Sequence, residues 1–275
     1  TSPAGANRIS YAPGATIDAG SLQTDSLLTL NFENLGSGGA VSVADTSGTA
    51  VDTLVVNGTV GDDSVSLDAS GDILLNSQLT ISAPGAAALT LEGLGGDDSI
   101  SIASSALYTG GVSVNGGDNG DGSDDLTVSG TAGNDTIVVA LATSSVTGVV
   151  GGPISVNGIE NLTANGGGAV AGDDIDVTGF GSVSGLERLE INANSLAGDT
   201  LDVTGTAGND TIHFNATDAN SGTITRSGTD TTISYAGLDA AATLTVQGGT
   251  AGFDILHVLG TEGDDTVTMP TASSV

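Results

Sequence analysis

The chain has 275 residues and a formal charge of −30, from three Arg, no Lys and 33 acids. That sign excludes nucleic acid as a partner and disfavours anionic lipid surfaces, while it draws divalent cations and keeps the chain soluble in salt. Cys is absent, which removes disulfides and thiolate metal sites; the lack of Lys removes Schiff-base and Walker-type phosphate chemistry; no stretch approaches the roughly 20 apolar residues that span a bilayer.

The hydrophobic share of 38% suffices for a continuous core, but only seven residues are Phe or Tyr and none is Trp. Burial therefore rests on Val, Ile, Leu and Ala, which fill narrow layers between sheets. Forty-four glycines among β-branched residues predict many short strands joined by tight turns, and almost no helix. Asp outnumbers Glu by 27 to six, a bias toward turns and oxygen coordination over helix.

In chain order, the first predicted strand is NRISYA at 7–12. The phrase DTLVVNGTVGDDSVSL follows at 52–67, with apolar residues alternating at Leu54 and Val56 and again at Val65 and Leu67. A period of two means strands with one buried face, and the G-T-x-G-x-D between them reads as a turn. LTISAPGAAALTLEGLGG at 79–96 leads into GLGGDDSIS at 93–101, and the acidic loop DNGDGSDD at 118–125 leads into a second copy, DDLTVSGTAGNDTIVV at 124–139. ISVNGIENLTANGG at 154–167 feeds DDIDV at 173–177, and SVSGLERLEINA at 182–193 feeds the third copy, DTLDVTGTAGNDTIHF at 199–214. ISYAGLDAAATLTVQGG at 233–249 precedes the fourth, DILHVLGTEGDDTVTM at 254–269.

Four copies of D-x-L-x-V-x-G-T-x-G-x-D-x-(I/V)-x-apolar define a repeat architecture, because one copy cannot bury its apolar face alone and must stack on its neighbours. The expected fold is an all-β parallel β-solenoid over 1–275, with tandem antiparallel β-sandwiches as the alternative. At about 4.8 Å between stacked strands, about a dozen coils give a rod on the order of 55 Å long. NRISYA matches TISYA at 232–236, and TVTMPTASSV at 266–275 resembles TIVVALATSSV at 136–146, so joining end to start completes one repeat. That match predicts head-to-tail contact between copies, a geometry that propagates into a filament.

At its G-x-D turns the chain resembles the secreted repeats-in-toxin family, whose nonapeptides bind calcium in a parallel β-roll. The stretches that carry the likeness are 58–66, 93–101, 130–138, 205–213 and 260–268. The resemblance implies calcium as cofactor, held by Asp63, Asp98, Asp135, Asp210 and Asp265 with turn carbonyls. GIENLTANGG at 158–167, GLERLEINA at 185–193 and the four main phrases are also similar to very large secreted surface proteins of environmental bacteria, which implies an extracellular structural or adhesive role without catalysis.

A polysaccharide-active β-helix enzyme would need a basic residue to abstract a proton or hold an anionic sugar, and the chain offers only Arg8, Arg188 and Arg226. His213 and His257 fall at equivalent outward strand positions. Asn57, Asn134, Asn161, Asn209 and Asn215 are formal glycan acceptors in N-x-S/T. The leading expectation is a non-enzymatic, secreted structural protein that assembles with itself into a filament or surface layer and does not insert into membranes. The second is a segment of a large adhesin with extracellular glycan or receptor partners, and the enzyme is third.

Overall fold

Short segments in which every second residue is Val, Ile or Leu, closed at each end by Gly, Asn or Asp, have little choice but to pair as narrow strands with one face buried. The computed structural model describes residues 6–260 apart from 37, 45–51, 119–121, 169–171, 182–184, 195–197, 230 and 240. Within them the chain forms β1 (Arg8–Pro13), β2 (Gly20–Thr24), β3 (Leu30–Phe32), β4 (Ala40–Ser42), β5 (Thr53–Asn57) and β6 (Ser64–Leu67). There follow β7 (Ile73–Leu75), β8 (Thr80–Ser82), β9 (Ala88–Gly95), β10 (Ser99–Ala103), β11 (Val112–Asp118) and β12 (Asp125–Ser129). The next group is β13 (Thr136–Ala140), a 3-10 turn at Leu141–Thr143, β14 (Ser145–Thr147), β15 (Ile154–Asn157), β16 (Asn161–Asn165), β17 (Asp174–Thr178) and β18 (Arg188–Asn192). The last are β19 (Thr200–Thr204), β20 (Thr211–Ala216), β21 (Gly222–Arg226), β22 (Thr232–Ala236), β23 (Thr243–Gln247) and β24 (Ile255–Leu259).

These strands build two sheets of 12. Sheet A runs β23-β19-β17-β13-β14-β15-β11-β9-β5-β1-β2-β3, and sheet B runs β24-β20-β21-β22-β18-β16-β12-β10-β6-β7-β8-β4. Most pairings are parallel, as in β5 with β9, β10 with β12 and β17 with β19. The architecture is a flattened two-sheet β-solenoid, as the repeat predicts. Twelve strands at about 4.8 Å spacing span roughly 53 Å along the stacking direction, close to the rod expected from the sequence.

What the sequence reading does not anticipate is the antiparallel hairpins. After three of the G-T-x-G-x-D turns the next strand doubles back within its own sheet: β6 into β7 and β8, β13 into β14 and β15, and β20 into β21 and β22. In sheet A, β13 lies three places beyond β11, and β14 and β15 return to fill the gap. The chain thus steps ahead and fills back. Successive copies of the phrase enter alternate sheets, because an odd number of crossings separates them and each hairpin stays within one sheet: β5 to β6 crosses from A to B, β12 to β13 from B to A, and β19 to β20 from A to B.

The core is a pile of equivalent side chains. In sheet B, Val65, Ile100, Leu126, Leu162, Leu189 and Ile233 lie in register, one per strand, and are all buried. In sheet A, Ile9, Leu54, Leu89, Val112 and Ile154 do the same. The outward neighbours also stack like on like, with Ser66, Ser101, Thr127 and Thr163 in one row. A hole in the inner pile has no mobile neighbour to fill it. Leu126→Ala should therefore lower stability by about 2–5 kcal/mol, while the adjacent outward Thr127→Ala stays within about 0.5 kcal/mol; urea titration followed by circular dichroism reads both.

Candidate functional site

The most concentrated chemistry lies along the corners where the chain passes between sheets. Asp52, Asp63, Asp98, Asp124, Asp173, Asp199 and Asp210 sit within two residues of a strand start, and all are at most 3% exposed. Buried carboxylates are costly unless hydrogen-bonded, and here each of these residues bonds across coils through its carboxylate, its amide or both. The Asp63 N–H donates to Asp98 Oδ1, the Asp98 N–H to Asp124 Oδ1 and the Asp124 N–H to Glu160 Oε2, at 2.8 to 2.9 Å. A second run passes from the Asp135 N–H to Asp173 Oδ1 and from the Asp173 N–H to Asp199 Oδ1, at 2.9 and 3.0 Å. The Asn7 and Asp210 amides donate in the same way to Asp52 and Asp254. The result is two ladders of carboxylates, each rung tying one coil to the next by a charge-assisted bond.

The same geometry explains the G-T-x-G-x-D phrase. A Cβ on Gly58, Gly130 or Gly205 would lie 2.5, 2.7 or 2.6 Å from Oδ2 of Asp63, Asp135 or Asp210, so the first glycine is there because the carboxylate takes the space of a side chain. None of these glycines has a positive φ. The following Thr closes the turn: the N–H of Thr59, Thr131 and Thr206 donates to Oδ2 of Asp63, Asp135 and Asp210 at 2.6, 2.7 and 2.9 Å. The Thr hydroxyl in turn accepts the N–H of Gly61, Gly133 and Gly208.

Where the Thr is missing, so is the bond. Leu94, Gly117, Gly167 and Asn194 stand in its place with φ of +83, +116, +110 and +60, and Oδ2 of Asp98, Asp124, Asp173 and Asp199 has no hydrogen-bond partner among the described residues. Asp98 Oδ2 and the Gly116 carbonyl crowd the same point beside Gly93, as Asp124 Oδ2 and the Gly158 carbonyl do beside Gly116. Two acceptors facing each other favour a proton between them. Burial accordingly pushes the Asp98 carboxyl up to about 6, against the Asp63 amide, which lowers it, and with help from the charges of Asp124, Asp63 and Asp62. Burial raises Asp124 and Asp173 as well.

One ladder carboxylate meets a cation. Arg226, on the β21 hairpin strand, pairs through Nε with Oδ1 of Asp210, which is fully buried. Its guanidinium packs where a Cβ on Gly181 would stand. Arg188 pairs with Glu190 at the surface, and Arg8 donates to Ser10. Each of the three cations that the sequence offered for catalysis thus has a partner on its own structural element or corner.

Of the five aspartates aligned with the calcium nonapeptides, Asp63, Asp98, Asp135 and Asp210 are ladder rungs, and Asp265 lies outside the described residues. The oxygens of Asp63, Asp135 and Asp210 face N–H and O–H donors, with Asn76 Nδ2 added at Asp63. Donors occupy the directions from which a cation would be held. Among the described residues no three acidic or His side chains converge on one point. As folded, this donor set does not fit the six to eight oxygens of a calcium shell. The loop at 118–125 is described only in part.

Sequence reasoning passed over Asp52, Asp173, Asp199, Asp254 and Glu160 as rungs. The signal was in the phrase: its first residue and its turn Asp both immediately precede a strand, so they are equivalent positions half a coil apart. The clefts are small; one of about 200 Å³ is lined by Leu141, Ser144, Ser145 and Glu160, and the Glu160 carboxylate accepts the Asp124 amide. Compared with known proteins, the chain matches no family model, no curated protein and no solved structure. Among the described residues no helix is long and apolar enough to cross a membrane.

A carboxyl raised above its unfolded value contributes stability that is full below the ordinary Asp range and is lost as pH rises through the folded value. The urea midpoint should therefore rise between pH 7.5 and pH 5. Asp98→Asn should flatten that rise and match or exceed the parent at pH 7.5, since its amide supplies the missing donor, while Asp98→Ala should cost about 1–3 kcal/mol. A steeper pH response in Asp98→Asn would refute the facing-acceptor geometry. Arg226→Met should cost about 3–5 kcal/mol by stranding the Asp210 charge, and adding Asp210→Asn should restore most of it in the same denaturation assay.

Proposed function

We propose that the protein is a secreted, non-enzymatic structural rod that extends head to tail through copies of itself into a filament or surface layer. The observation that carries this reading is the state of the sheet ends. On β24, Leu256 and Val258 stand in register with Ile212 and Phe214 but are 50% and 42% exposed, where Ile212 is 2% exposed. Among the described residues β23 and β24 are the edges of the two sheets at this end, and β3 and β4 are the edges at the other. There Leu27, Leu28 and Leu30 are exposed beside a groove lined by Ile9, Leu22 and Val43. Unpaired edges with apolar residues in core register are templates for a further strand.

A second copy suits these edges because each end of the described stack offers two strand edges at the spacing of the same two sheets. The acidic surface keeps rods apart laterally, so growth is confined to the ends. The mechanism is mechanical: stacked backbone ladders, apolar layers and carboxylate rungs carry length and stiffness.

Electron microscopy of the purified chain, once in millimolar calcium and once in chelator, tests the reading. Filaments with an axial repeat of about 50–55 Å are expected in both conditions, since the ladder carboxylates are held by protein donors. Unassociated rods in both would refute self-extension and leave the adhesin segment as the better account; loss of filaments in chelator alone would place calcium at the junctions.

A further inference from the structure

The chain contains two His, 44 residues apart in sequence, and the fold sets them side by side. His213 on β20 and His257 on the edge strand β24 are direct partners in a parallel pair. Both side chains leave the same outward face of sheet B, because their neighbours Ile212 and Phe214 on one strand and Leu256 and Val258 on the other turn the opposite way. The rings stack with centroids 4.8 Å apart and planes 8° from parallel. His257 is exposed and His213 half-buried. His213 Nε2 lies 3.1 Å from the Ser227 hydroxyl, and Thr225 continues the row on β21.

We propose that His213 and His257 form a two-imidazole site for a borderline transition-metal dication such as zinc or nickel, and that the bound ion fastens β24 onto β20. Imidazole nitrogen is the commonest protein ligand for such ions, and in a tetrahedral shell two bonds of about 2.1 Å set the ligating nitrogens about 3.4 Å apart. Rings whose centroids lie 4.8 Å apart on an open face need only turn out of the stack about their side-chain bonds for one nitrogen of each to aim at a shared ion. The remaining coordination positions face solvent, while the Ser227 hydroxyl holds the His213 ring through Nε2 as an outer partner and leaves Nδ1 for the ion. The strongly negative chain raises the local concentration of any dication.

The site also has a structural consequence. Among the described residues β24 is bonded to the body of sheet B on one side only, so an ion held by both strands adds a cross-link at the end of that stack. Because both ligands are brought together only in the folded coil, binding raises the stability of that coil.

Untagged full-length protein titrated with nickel or zinc by calorimetry at pH 7.5 tests this, alongside His213→Asn, His257→Asn and the double variant. Circular dichroism confirms that each outward-facing substitution leaves the fold intact. One metal per parent chain is expected, at least about tenfold weaker in either single variant and no weaker again in the double. Zinc should raise the melting temperature of the parent only, and both His ring signals should shift together in NMR spectra. Equal affinity in the parent and the double variant would assign binding to surface carboxylates and overturn the proposal, as would the absence of a shift in either His signal.

Discussion

The structure depends on one repeated bond: a buried carboxylate at the head of one strand accepting the amide at the head of the strand before it. Strand pairing alone fixes spacing, but side-chain period two leaves the relative slide of stacked coils to their turns. A rung such as Asp98 to Asp63 sets that slide, because moving the coil by two residues, which keeps the apolar face inward, would leave an acid in the dry corner without its donor. The glycine against which each carboxylate rests follows from the same requirement. At Asp63, Asp135 and Asp210 the Thr after that glycine supplies donors to the carboxylate in place of the rung amide. A six-residue phrase is thus accounted for by the needs of one ionised group.

Much of the fold was legible. Alternating Leu, Val and Ile in the four phrases give the strands, and scarce aromatics give thin layers, so a two-sheet solenoid follows from residues such as Leu126 and Val128. The hairpins were not legible, because β14 and β21 carry the same alternation as their parallel neighbours and nothing in SVT or GTITR states the direction of pairing. The calcium likeness is carried by Gly-rich turns that end in Asp, and such a turn does not by itself state which groups surround that Asp in the fold. The donors that occupy Asp63 come partly from Asn76, thirteen residues on, which no local motif encodes. The pairing of His213 with His257 needed the register of two phrases to be laid side by side.

The turns without Thr show how much latitude the plan allows. Leu94 adopts a left-handed backbone that costs a non-glycine residue about 1–2 kcal/mol, and its turn leaves one oxygen of Asp98 without a donor. The coil still forms, because the inner pile of Ile100 on Val65 and Leu126 is unchanged. Strand stacking therefore tolerates an imperfect corner, whereas Asp210, at the foot of a hairpin, recruits Arg226 to complete its shell.

Backbone hydrogen bonds between neighbouring strands lie along the length of the solenoid. A pull on its two ends loads those bonds in series, so tension passes through every coil in turn and the molecule yields at whichever coil is least well joined. Strands tied to neighbours by many parallel bonds would share the load, but only within a coil. The corner rungs matter most under such tension, since they lie along the same line of force at the two edges of the flattened coil, where a bend would begin to open it.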